Sequence, residues 1–94
     1  MNTTGQQMAF EDGLGEVFIG ASANEIVRMM KQVEFDVPPT PEIWKTRVAM
    51  RALYLGIEIQ YYDALSFLCE LERHGLGRFR PELLDNNSGL ADLV

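Results

Sequence analysis

Cys69 and His74 are the single cysteine and single histidine of the chain. Nucleophilic or metal chemistry of the ordinary kind would have to start from them. A thiolate needs a base within hydrogen-bond reach, and five residues of separation put the two on different faces of one helix. A structural metal site ordinarily takes four ligands, and a four-cysteine zinc site is excluded. His74 therefore reads as a cation at a helix C-terminus and Cys69 as a small core residue. No Gly-rich phosphate loop, H-E-x-x-H or G-x-S-x-G is present. Gly-Leu-Gly occurs at 13–15 and 75–77, but neither copy lies between a strand and a helix with the rest of a phosphate motif. Carboxylates are plentiful, and plenty alone is no sign of acid–base work. The sequence assigns no catalytic residue, no cofactor and no metal.

A second constellation points to nucleic acid. Ala52, Gly56, Ile57 and Leu65 have the spacing of a helix-turn-helix, in which Gly permits the turn and the apolar positions pack two helices steeply. The reading helix would have to offer Arg, Lys, Asn or Gln to base edges. It offers Gln60, with Tyr61 and Tyr62 for phosphates or thymine methyls, but also Asp63, Glu70 and Glu72 against one late Arg73. The whole chain sets eight Lys and Arg against fourteen Asp and Glu, a net charge of −6. Affinity for a phosphate backbone comes from cations that displace counterions, so nucleic acid is an unfavoured partner. An ordinary helical hairpin with Gly56 at the crossing explains the same spacing.

The elements that would carry these residues read as helices. Ser22 and Glu25 form an S-x-x-E capping box, followed by Ile26, Met29, Met30 and Val33 on one face. The Pro-rich "FDVPPT" ends that helix. Thr40-Pro41-Glu42 opens a second, with a capping hydroxyl, Pro at the first helical position and an acid at the positive pole. Trp44, Val48, Ala52, Leu55 and Ile59 make its stripe, widened by Ile43, Met50, Leu53, Tyr54 and Ile57. Continuation to His74 would give a helix of more than about 30 residues, well beyond the usual length, so a turn is expected near Gly56 to Ile59. The third helix holds eight apolar or aromatic residues between 61 and 71 and stops at Arg73-His74-Gly75. The helices are expected near 22–34, 40–56 and 60–74, with one more helical turn from Pro81 to Leu84. "LGEVFIG" (14–20) reads as a short strand or an extended segment.

The resulting expectation is an all-α fold: a small bundle of three principal helices and a short C-terminal turn, in one domain over 14–85. Residues 1–13 form a flexible N-terminal arm and 86–94 a flexible tail. No apolar run approaches the roughly 18 residues of a membrane span. No basic segment followed by an apolar core opens the chain, and a lone cysteine suits a reducing compartment. A cytoplasmic protein with no membrane partner is expected.

Apolar excess is the strongest signal. The second and third helices carry more apolar surface than one small core absorbs, and such excess marks partner sites. Trp44, Met50, Tyr54, Ile57, Tyr61, Tyr62, Leu65, Phe67 and Leu68 are the expected partner or dimer interface, with a homodimer through these two helices. Arg28, Lys31, Lys45, Arg47 and Arg51 on the first two helices oppose Glu58, Asp63, Glu70 and Glu72 beyond them, an asymmetry that could orient a partner. The function expected is a non-catalytic regulatory protein of anti-activator or inhibitor type. It would sequester another protein, such as a DNA-binding regulator, through an apolar helical face. Two other readings are a helix-turn-helix transcription regulator and a structural subunit of a larger assembly.

Overall fold

The computed structural model describes residues 7–84. In chain order it contains β1 (Met8–Asp12), β2 (Val17–Gly20), α1 (Ala23–Gln32), α2 (Pro41–Tyr54), α3 (Ala64–Arg73) and β3 (Gly77–Phe79). A last helical turn covers residues 81–84. The strands form one antiparallel sheet in the order β2-β1-β3. The fold is therefore mixed α/β, which corrects the all-α expectation. The N-terminal arm is corrected with it: Met8–Asp12 is the central strand. Residues 1–6 and the tail at 86–94 lie outside the described residues.

The sheet follows from alternation too short to stand out in the sequence. Phe10 lies opposite Phe18 in β2 and Phe79 in β3, and these rings share one face. Phe10 and Phe79 meet edge to face, 5.0 Å between centroids. The hairpin between β1 and β2 turns at Asp12, whose Oδ1 accepts the backbone N–H groups of Leu14 and Glu16, each at 2.9 Å. Gly15 supplies the positive φ of +90° that such a turn needs. On the opposite face Glu11 accepts hydrogen bonds from Arg78, directly across the ladder, and from Arg80. β3 closes the other edge of β1.

The helices sit close to where their caps place them. Ser22 Oγ accepts from Glu25 N–H at 3.2 Å, while the Glu25 carboxylate takes the N–H of Ala21 at 2.6 Å. Thr40 Oγ1 caps α2 through Ile43 N–H. Asp63 and Ser66 form a full capping box on α3. α2 and α3 end in the same way. Gly56 (φ +78°) and Gly75 (φ +75°) adopt the left-handed conformation. The following N–H groups, of Ile57 and Leu76, reach back to Ala52 and Leu71 at 3.0 and 2.8 Å, a Schellman closure. Nothing lies within 4 Å of where a Cβ on Gly56 would be. Gly56 thus ends a helix and is not a helix crossing.

α1 packs on β1 and β2, α3 on β3 and α1, and α2 on α1. Between them lies one core, in which Phe10, Ile26, Phe67 and Leu68 are fully buried. Removing a buried phenyl ring destabilises by about 3–5 kcal/mol. Phe10→Ala is therefore expected to lower the free energy of unfolding by that amount in urea titration, whereas a mobile arm would give no change. The guanidinium of Arg80 is the main cause that holds the Glu11 carboxyl below its ordinary 4.5, with Arg78 adding to it and partial burial opposing it. A depressed carboxylate stabilises the fold above its unfolded value, and that contribution is lost as pH falls through the folded one. Below pH 4.5 the melting temperature of the wild type is expected to fall more steeply than that of Glu11→Gln.

Candidate functional site

The polar ties of the loop after α1 hold one side of a concavity in the described surface. Val33 is the C-cap of α1, and residues 34–38 are then bound on three sides. Lys31, buried under the loop, donates from Nζ to the Pro38 carbonyl at 3.0 Å. The indole N–H of Trp44 donates to Glu34 Oε2 at 2.8 Å. Arg47 donates to the Asp36 carbonyl at 3.3 Å. Arg51 adds an ion pair to Glu34 at 3.6 Å. Phe35 sits in the middle of this tethered segment and is as exposed as in a free chain (105%).

Phe35 forms one wall of a groove of about 450 Å³. Leu14, at the tip of the β1–β2 turn and 94% exposed, faces it from the sheet. Leu55 and Val33, both exposed, come from the ends of α2 and α1. Trp44, Met30 and Leu71 line the deeper part, and Asp12, Glu16, Glu34 and Arg51 make the rim. Large exposed apolar groups gathered at one concavity are unusual on a monomer surface. The C-terminal ends of α1, α2 and α3 all reach this groove, through Val33, Leu55 and Leu76. A helix C-terminus carries roughly half a negative charge, so three poles and three rim carboxylates outweigh the one guanidinium.

The groove differs from the interface expected from the sequence. Trp44, Phe67 and Leu68 are buried. Trp44 and Phe67 pack edge to face at 5.3 Å, and only the rim-ward side of Trp44 contributes, as groove lining. All three lie in the core, where α2 meets α3 through Trp44 on Phe67. Ile57 is half-buried as the apolar residue after the α2 closure. Met50 and Tyr54 project outward from α2, Leu65 from α3, and Tyr61 and Tyr62 from the connector. The sequence reading missed Leu14 and Phe35. Its available signal was an apolar residue between two glycines and another between two acids, where turns ordinarily place polar groups.

Cys69 is exposed, not a core residue as its type suggested. His74 is the C-cap of α3, with Nε2 3.6 Å from Glu70 Oε1. Among the described residues no three His, Cys, Asp or Glu side chains are grouped to hold a metal, and no helix is long and apolar enough to cross a membrane.

The geometry also bears on DNA reading. Nine residues, 55–63, separate α2 from α3, against about three or four in a helix-turn-helix. Gln60 lies in that connector. At the N-terminus of α3 stands the Asp63 carboxylate, held below its ordinary value chiefly by the Ser66 N–H and helped by the buried Lys45. Arg47, Arg51, Arg73, Arg78 and Arg80 are each paired with a carboxylate. Among the described residues Arg28 alone is an exposed cation with no acidic partner.

Comparison with family models, curated proteins and solved structures found no match to this chain.

If Phe35 is held outward by its neighbours and not by packing of its own, replacing it leaves stability alone. Phe35→Ser is expected to change the free energy of unfolding in urea by less than about 0.5 kcal/mol, the usual range for exposed sites.

Proposed function

We propose that this protein is a non-catalytic regulatory protein that binds and sequesters another protein, in the manner of an anti-activator or inhibitor, and that the groove at the helix ends is its contact. One observation carries the reading: a tethered loop holds Phe35 fully in solvent beside Leu14 and Leu55, around a concavity of protein-anchor size. A cavity for a small molecule shields its lining, whereas these walls stand in water and are complete only against a second surface. Hot spots of binding are aromatic or aliphatic anchors of this kind, ringed by groups that exclude water.

Charge favours a partner with a basic face. The chain carries a net charge of −6, its cations are almost all engaged internally, and complementary potentials speed and orient association. A DNA-binding regulator is a partner of that character. Sequestration of it would use the same acidity that disfavours binding to the nucleic acid itself.

The test is affinity capture of the tagged chain from its own cell lysate, with nuclease, alongside Phe35→Asp and Leu14→Asp. A stoichiometric protein is expected with the wild type. Loss of one anchor in a binding centre removes about 2 kcal/mol or more, so both variants should bind at least about thirtyfold more weakly. A protein retained equally by both variants, or recovery of nuclease-sensitive material only, overturns the proposal.

A further inference from the structure

α2 has apolar residues on both sides, and only one side is used by the fold. Trp44, Val48, Ala49 and Ala52 face the core. Ile43, Met50, Leu53 and Tyr54 face solvent, Tyr54 at 90% exposure and Met50 and Leu53 more than half exposed. Their spacing is that of a two-helix seam. Ile43 and Met50 fall at the first position of successive heptads, Thr46 and Leu53 at the fourth. Glu42 then occupies the position before the seam and Arg47 the position after it. Neither Leu14 nor Phe35 belongs to this face, so it is separate from the groove.

We propose that this face docks a second copy of the chain, α2 against α2 in parallel, with Glu42 of each copy paired to Arg47 of the other. Charge selects both the occupant and the direction. In a parallel seam the residue before the first heptad position meets the residue five places further along the other helix. Here that joins Glu42 to Arg47 twice, once on each side of the two-fold axis. In an antiparallel seam like flanks meet, so Arg47 would face Arg47 or Tyr54 of the other copy and Glu42 would gain no cation. Arg47 holds the Asp36 loop from one side only, and its outer side remains open to a second acid. Its guanidinium bonds the Asp36 carbonyl, lies 3.8 Å from the Asp36 carboxylate, and keeps 43% of its side chain exposed. The Ile43, Met50 and Leu53 layers are apolar and self-complementary, since each heptad position meets its own copy, and the Thr46 hydroxyl between them is satisfied by the Glu42 carbonyl.

The experiment is sedimentation velocity across a concentration series at about 0.15 M salt, where charges beyond about 8 Å are screened. A concentration-dependent dimer is expected. Met50→Asp should raise its dissociation constant at least tenfold with unchanged far-UV circular dichroism, and Phe35→Asp should leave it unchanged. Arg47→Glu should weaken the dimer, and Glu42→Arg combined with Arg47→Glu should restore it. In a Cys69→Ser background, Leu53→Cys should form an interchain disulfide on mild oxidation, because only the parallel seam sets residue 53 against itself. A monomer at every concentration, a dimer unaffected by Met50→Asp, no rescue by the charge exchange, or no cross-link at 53 each overturns the proposal. Loss of the dimer with Phe35→Asp would assign self-association to the groove and overturn it as well.

Discussion

Phe10 has no access to solvent, and its position constrains the rest of the molecule. Its strand pairs on both sides, so β2 and β3 exist as a sheet only because β1 lies between them. A Cβ on Gly77 would come within 2.7 Å of the Phe10 ring and 2.9 Å of the Glu11 carbonyl. β3 can approach because that residue has no side chain. The helices depend on the same ring indirectly. α1 and α3 pack on the sheet, and α2 reaches the body through α1 and through Trp44 on Phe67. The hairpin tip that carries Leu14 is fixed two residues beyond the strand whose center is Phe10.

The helices were legible in the sequence because their signals are local. Ser22, Thr40 with Pro41, and Gly75 each specify a boundary through bonds to neighbours a few residues away, and the turn near Gly56 follows from its left-handed conformation. β2 lies inside 14–20, the one segment that offered a short strand, whereas β1 and β3 were not legible because their reasons are distant. Five, four and three residues are too few to display a period of two. Met8, Phe10 and Phe79 read as isolated apolar residues until the chain brings them together. Cys69 shows the limit of residue type as a guide, since its position on α3 faces water.

The apolar excess was legible as a quantity and not as a place. α3 meets it by burying Phe67, Leu68 and Leu71 against the sheet and the other helices, while α2 keeps Met50, Leu53 and Tyr54 outside. Trp44 reads as an interface residue by type, yet it serves the core with its ring and the loop with its indole N–H. That hydrogen bond to Glu34, with those of Lys31 and Arg47, turns a Pro-terminated connection into a support for Phe35. The same pairings leave little free positive charge, so structural use of the basic residues and the acidity of the surface have one origin.

The pairing of β1 with β3 joins residues that are far apart in the chain. The Glu11 contacts to Arg78 and Arg80 span 67 and 69 residues. Local helices form within microseconds, whereas closing so long a loop must precede any reward from the contacts it makes. During synthesis β1 and β2 can pair only with each other, a two-stranded hairpin that is marginal in water until α1 packs on it. One edge of the central strand then stays open, with Phe10 incompletely covered, until residues 77–79 have left the ribosome. The strand made first among these elements is thus the last to be fully enclosed.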